Sequence, residues 1–124
     1  MTAITGSAQK IADEFVRAWL GGNIDEALSF VSEGIVCEAP NGRFEGLERY
    51  RQFLEPFTST LISSSVIGVL GDDTHAATVY TTETPFAKDF RGIDYLTIEN
   101  GKITHILSIF DLSPLIQAGG NPEH

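Results

Sequence analysis

The fold is decided by the stretch FRGIDYLTIENGKITHILSIFDL, which covers residues 90–112. It contains two runs rich in Ile, Leu, Phe, Tyr and Thr, separated by the turn residues Asn100-Gly101. Asn-Gly between strand-forming residues is the strongest short-range hairpin signal, because the tight turn requires positive φ at both positions. The stretch therefore predicts a β-hairpin on which the remaining chain is organised.

Two carboxylates interrupt the apolar pattern of this hairpin. Asp94 and Asp111 each stand between apolar or aromatic neighbours. A carboxylate on a half-buried strand is costly unless it is solvated, paired or used, so we predict that the two aspartates form a chemical centre. Simpler interpretations stay open: Asp94 could pair with Arg91 or Lys102, and Asp111 could cap the turn at Ser113.

Upstream of the hairpin, apolar residues first recur at helical spacing. They predict one helix capped by Ser7 and stopped by Gly21-Gly22. A second helix begins with a capping box at Asn23 and reaches Val31. A third is expected to end ahead of Pro56, because proline disfavours helical geometry in the residue before it.

The spacing then changes to that of β-strands. Short strands are predicted over residues 35–37 and 43–46, and long ones over residues 61–70 and 74–84, ahead of the hairpin. Helices followed by a long antiparallel sheet define an α+β layer fold.

Composition narrows the functional classes. The 124 residues suit a single domain, residues 1–124, with a flexible tail over residues 115–124. Eight basic against 17 acidic residues give a net charge of −9, which repels nucleic acid and anionic membranes. The single Cys37 excludes an internal disulfide and fits a reducing compartment. Without a signal-peptide core or a bilayer-length apolar run, a cytoplasmic protein is expected.

The order of elements resembles the nuclear-transport-factor-2-like (NTF2-like) superfamily over residues 7–118. The matching features are Gly-Gly-Asn-Ile-Asp-Glu between two helices, then Pro-Asn-Gly, Phe-Glu-Gly, a third helix and four long strands. The ending GKITHILSIFDLSPLIQAGG is most similar to the SnoaL-like polyketide-cyclase branch. The resemblance implies a cone, in which N-terminal helices pack on a curved, mainly antiparallel sheet. It also implies a homodimer with one small-molecule cavity per subunit.

The resemblance assigns roles to both aspartates. Ketosteroid isomerases share this fold, and their oxyanion-binding Asp falls on Asp94, whereas Phe15 and Ala39 replace their oxyanion Tyr and their general base. Steroid-type isomerisation is therefore disfavoured. SnoaL-like cyclases use an Asp near the end of the last strand without metal or cofactor, and this role falls on Asp111. Asp111 would then be the base, and Asp94 would donate a hydrogen bond to the developing enolate.

The direction of the Asp111 side chain is left open. Simple alternation places Ser108 and Phe110 on the predicted cavity face and Asp111 on the opposite face, so Asp111 needs a bulge or the strand end to reach the cavity. His105 could be a proton shuttle or a structural residue. We predict a ligand-binding set that is almost entirely aromatic: Phe15, Trp19, Phe53, Phe57, Phe86, Phe90, Ser108 and Phe110.

Two functions of different class follow. The first is a cofactor-free cyclase, isomerase or lyase that acts on a small apolar carbonyl compound by aspartate acid/base chemistry. The alternative is a non-catalytic dimeric module for ligand binding or association. The three His and one Cys show no metal-ligand spacing, and phosphate-binding motifs are absent, so neither metal nor cofactor is predicted. Apolar residues on both strand faces predict dimerisation through the outer face of the sheet.

Overall fold

The computed structural model describes residues 6–111 and Ser113. Within residues 6–111, three helices precede or interrupt the strands: α1 (Ser7–Leu20), α2 (Ile24–Leu28) and α3 (Leu47–Thr58). In the same part of the chain, six strands form one sheet: β1 (Val31–Ala39), β2 (Gly42–Glu45), β3 (Ser63–Gly71), β4 (His75–Glu83), β5 (Phe90–Glu99) and β6 (Lys102–Phe110). The α+β prediction is confirmed, while the flexible tail predicted for residues 115–124 lies outside the described residues.

The predicted hairpin forms the centre of the sheet. The strand order is β2-β1-β6-β5-β4-β3, and every pair is antiparallel except β1 with β6. Asn100 and Gly101 form the turn with φ of 53° and 78°, the left-handed conformation that their sequence predicts. Register shifts in β1, β3 and between β5 and β6 are bulge-like irregularities, which bend strands. The helices pack on one face of this bent sheet, with α1 across β3 and β4 and α3 across β1 and β2.

The start of α1 is held by the β3–β4 turn instead of by Ser7. Gly6 is the N-cap residue, and Ser7 is the first helical residue. The Asp73 carboxylate accepts hydrogen bonds from the backbone N–H groups of Gly6 and Ser7 at 2.6 and 3.1 Å. A side chain 66 residues away therefore supplies the cap that we predicted from Ser7.

The ends of α2 and α3 differ from the prediction. Asn23 caps α2 as expected, since its side chain accepts from the Glu26 N–H. The helix stops at Leu28, because Phe30 and Val31 are drawn into the sheet opposite Ile103. Helix α3 continues past Pro56 to Thr58, which corrects the predicted end. That last turn places the Phe57 ring 6.2 Å from the Trp19 ring (centroid to centroid). The stabilisation from this aromatic packing outweighs the loss of the helical hydrogen bond that Pro56 cannot donate.

The inner face of the sheet divides into an apolar and a polar part. Leu96, Ile98 and Ile106 are fully or almost fully buried in the hydrophobic core. Farther along the same strands, Asp94 and Ser108 face inward and are also buried. The core therefore ends where the polar side chains begin, and a cavity occupies that end. Within the described residues no helix is long and apolar enough to cross a membrane.

Candidate active site

A cavity of about 370 Å³ lies between the helices and the inner face of the sheet. Its walls come from α1, α3, the β1–β2 turn, and strands β4, β5 and β6. Most of the lining is aromatic: Trp19, Asn41, Tyr50, Phe53, Leu54, Pro56, Phe57, Thr60, Tyr80, Phe86, Phe90, Asp94, Ser108 and Phe110. A concave apolar site with a few convergent polar groups is the usual form of a small-molecule site.

The structure places most of the residues predicted for ligand binding at this cavity. Its lining includes Trp19, Phe53, Phe57, Phe86, Phe90, Ser108 and Phe110. Phe15 is outside that lining, because its side chain is fully buried in the core. The isomerase-like position on α1 is thus a packing position in this chain.

Asp94 is the carboxyl group of the described lining. It is 4 % exposed on β5, where alternation turns it inward between the exposed Ile93 and Tyr95. Its Oδ1 accepts hydrogen bonds from the Ser108 hydroxyl at 2.8 Å and the Tyr80 hydroxyl at 3.4 Å. Desolvation raises the Asp94 pKa from 3.8 to about 6, although both hydroxyl donors act in the opposite direction. Both of these hydrogen bonds end on Oδ1, and none from the described residues ends on Oδ2.

The titratable neighbours of Asp94 remain uncharged. Burial raises the pKa of the Cys37 thiol to about 12, and its sulfur lies 3.9 Å from the Ser108 hydroxyl oxygen. Burial also raises the pKa values of Tyr50 and Tyr80 well above 10. A neutral thiol is a poor nucleophile, which leaves Asp94 as the titratable group of the described lining whose pKa is nearest to neutrality.

Asp111 lies apart from Asp94, so the structure does not bring the two predicted catalytic residues together. It is exposed just beyond β6, in an open depression beside Lys88 and Arg91. Its carboxylate accepts the Ser113 N–H at 2.9 Å, a bond that lowers the Asp111 pKa. Strand β6 reaches its end without a bulge near Asp111, and the alternation rule holds.

His105 also lies away from the cavity. Its Nε2 is 2.8 Å from the Glu38 carboxylate, and Arg43 contacts the same Glu38 from β2 at 3.2 Å. All three side chains are partly exposed on the outer face of the sheet. This network favours the structural interpretation of His105. Among residues 6–111 and Ser113, no three His, Cys, Asp or Glu side chains come together as metal ligands.

Tyr80 is the important site residue that our sequence reasoning missed. It is 6 % exposed on β4, directly opposite Gly92 of β5, and its hydroxyl reaches Asp94. A Cβ atom at residue 92 would lie 2.7 Å from the Tyr80 hydroxyl oxygen. The detectable signal was a glycine inside a strongly apolar strand, which often marks the close approach of another group.

Gly92→Ala should therefore destabilise the protein by about 1–3 kcal/mol, because the added methyl group overpacks the Tyr80 ring. Chemical denaturation measures the loss. Gly34→Ala in β1 is the matched control, since a Cβ there meets nothing within 4 Å. Equal stability of Gly92→Ala and the wild type would contradict the close approach of the Tyr80 ring to residue 92.

Comparison with known proteins defines the class. The SnoaL-like domain family model matches residues 12–106, which is most of the chain. The protein therefore belongs to the SnoaL-like domain family. No curated protein matches it.

Solved structures share the fold of this protein. A protein from Kribbella flavida is 38 % identical, with 95 % of this chain and 98 % of that chain covered and a TM-score of 0.89. An NTF2-like protein of unknown function from Cytophaga hutchinsonii is 23 % identical, with coverages of 86 % and 91 % and a TM-score of 0.72. An LEH-like epoxide hydrolase from M. tuberculosis is 16 % identical, with coverages of 92 % and 90 % and a TM-score of 0.71. The last two similarities show the fold alone, and the NTF2-like prediction is confirmed.

Proposed function

We propose that the cavity is a cofactor-free active site in which Asp94 is the general base for a small apolar carbonyl compound. The observation that carries this proposal is the burial of Asp94 in an aromatic cavity, which raises its pKa to about 6. A general base is most effective when its pKa lies near the working pH. The exposed Asp111, with a lowered pKa, is a weaker base and lies outside the cavity.

The reaction starts with transfer of a proton from the carbon next to the carbonyl group to Asp94 Oδ2. The electron pair of that C–H bond forms a carbon–carbon double bond, and the π electron pair of the carbonyl group moves onto its oxygen, which gives an enolate. Return of the proton from Asp94 to a different carbon of a conjugated enolate gives an isomer. Attack of the enolate carbon on a second carbonyl group of the same molecule gives a ring, and Asp94 returns the proton to the new alkoxide. Hydrogen bonds from Ser108 and Tyr80 to Oδ1 fix the carboxylate for this transfer.

Exchange of protons for deuterium tests the proposal without knowledge of the natural substrate. Small apolar ketones are incubated with the protein in D₂O, and loss of the α-proton signals is followed by NMR. We expect faster exchange with the wild type than with Asp94→Asn, and wild-type rates with Asp111→Asn. Exchange that is as fast with Asp94→Asn as with the wild type, for every ketone that exchanges, would contradict the assignment of Asp94 as the base.

A non-catalytic binding module is the second candidate. It is favoured by the single carboxyl group of the described lining, since Ala39 and Phe15 stand where isomerases carry a base and an oxyanion donor. Ketone binding that quenches or shifts the fluorescence of Trp19, the only Trp in the chain, with no exchange at any pH, would establish this alternative.

We further propose a homodimer formed through the outer face of the sheet. Exposed apolar side chains on neighbouring strands form a patch there: Leu70, Ile93, Tyr95, Leu107 and Ile109. Tyr95 lies opposite Leu107 in the β5–β6 register, so the patch is continuous across the central hairpin. Contiguous exposed apolar surface of this kind marks an interaction site.

Sedimentation should accordingly show a dimer at micromolar concentration. The double variant Tyr95→Glu/Leu107→Glu should be monomeric, because association would bury two carboxylates against apolar side chains. Ile62→Glu is the control, since Ile62 is 62 % exposed but precedes β3. A monomeric wild type would contradict this proposal.

A further inference from the structure

The cavity wall contains a continuous series of aromatic rings. Trp19, Phe57, Phe90 and Phe110 follow one another with centroid distances of 6.2, 6.0 and 5.8 Å. Successive ring planes are inclined at 52°, 57° and 58°. Because each ring is turned relative to the next, the series cannot form a flat stack and presents ring faces in several directions. Tyr50, Phe53, Tyr80 and Phe86 extend this lining.

The same cavity holds a carboxyl group for which the described lining provides no counter-ion. The described lining contains Asp94 but no Lys, Arg or His. The titratable groups that surround Asp94 are Cys37 on β1, Tyr50 on α3 and Tyr80 on β4, and all three are neutral because burial raises their pKa values. Ser108 on β6 and Trp19 on α1 contribute no charge. A buried carboxylate in this setting is uncompensated.

We propose that the cavity binds a small organic ammonium ion, with its cationic head between Asp94 and the aromatic wall. Aromatic faces attract cations through the ring quadrupole, most strongly where water is excluded. The ammonium ion also supplies the positive counter-charge that the described lining does not give to the Asp94 carboxylate. The net charge of −9 favours the approach of cations over anions. This proposal rests on the proposed function in one respect: both take the cavity as the ligand site. Binding of an ammonium ion depends on the negative charge of Asp94 and does not require Asp94 to act as a base.

A matched pair of probes isolates the role of the charge. Benzyltrimethylammonium and neopentylbenzene have nearly the same shape, but only the first is cationic. Binding is followed by fluorescence of the only Trp, Trp19, which lines the cavity, and by calorimetry. At pH 8 we expect the ammonium ion to bind about tenfold or more tightly than its neutral isostere. Only the ammonium ion can form an ion pair with the Asp94 carboxylate and cation–π contacts with the aromatic rings.

Variants and pH identify the group responsible. Asp94→Asn should abolish the preference for the ammonium ion, whereas Asp111→Asn should retain it. In the wild type, ammonium affinity should rise as Asp94 ionises between about pH 5 and 7, and in Asp94→Asn it should be independent of pH over that range. Thermal unfolding of each variant confirms that it is folded.

Each outcome is decisive. Equal affinity for the two probes, or a preference that survives in Asp94→Asn, would overturn the ammonium proposal. Failure of benzyltrimethylammonium to bind, with Asp94-dependent deuterium exchange of ketones intact, would overturn it and leave the proposed function standing. Ammonium binding without any ketone exchange would support it and favour the binding module.

Discussion

Asp94→Asn is expected to lower kcat for proton abstraction by about a hundred- to ten-thousandfold, the usual contribution of a general base. The amide has nearly the same shape and can still accept hydrogen bonds from Ser108 and Tyr80, so substrate binding should hardly change. The effect should appear in kcat with little change in KM, because the carboxylate acts in the transition state. Kinetics with any ketone that shows deuterium exchange provide the measurement.

The pH profile of the same reaction tests which form of Asp94 is active. A base must be ionised, so kcat/KM should rise with pH through the Asp94 pKa of about 6 and reach a plateau above it. A rate that instead falls above that pH would identify Asp94 as an acid. Asp111→Asn serves as the control, because its carboxylate is exposed and bonded to the Ser113 N–H. A loss of turnover in Asp111→Asn as large as in Asp94→Asn would contradict our assignment.

The second large effect of Asp94→Asn is an increase in stability near neutral pH. The folded-state pKa of Asp94 is raised from 3.8 to about 6, so the unfolded chain releases this proton more readily than the folded protein. The folded state loses stability as pH rises from about 4 through 6, and the loss is complete above that range. It amounts to about 3 kcal/mol. Replacing the carboxyl group with a neutral amide should recover most of it.

Urea unfolding of the wild type and Asp94→Asn at a series of pH values measures this effect. The difference in free energy of unfolding should be small at pH 3.5, grow between pH 4 and 6, and stay constant above pH 7. Asp111→Asn should show no such gain, since hydrogen bonding lowers the pKa of Asp111 in the folded protein. A constant difference at all pH values would mean that Asp94 is not desolvated. The gain would show that the site gives up stability for reactivity.

Local patterns in the sequence were sufficient to predict the central hairpin and to select Asp94 as a candidate. The Asn100-Gly101 turn predicts the hairpin, and its apolar neighbours single out Asp94 in β5. Both inferences depend only on neighbouring residues. Part of the aromatic lining could be predicted for the same reason, since Trp19 on α1 and Phe53 on α3 recur at helical spacing with other apolar residues.

Contacts between distant residues account for the errors. Val31 belongs to β1 because it pairs with Ile103, and Pro56 stays helical because the turn beyond it packs Phe57 on Trp19. Asp111 was assigned from a family resemblance that gave its position near a strand end but not its direction. Strand alternation was the better guide, because the end of β6 is regular.

The parallel pairing of β1 with β6 has a consequence for the order of folding. It joins Val36 to His105, about seventy residues apart in the chain, whereas the other strand pairs connect neighbours in sequence. Such a contact carries a large loop-closure entropy and contributes strongly to contact order. We expect the β3–β6 meander to form first and the β1–β2 arm to dock afterwards with α3. The aromatic wall and Asp94 would then be enclosed only in the last step, so a partly folded chain exposes the cavity to water.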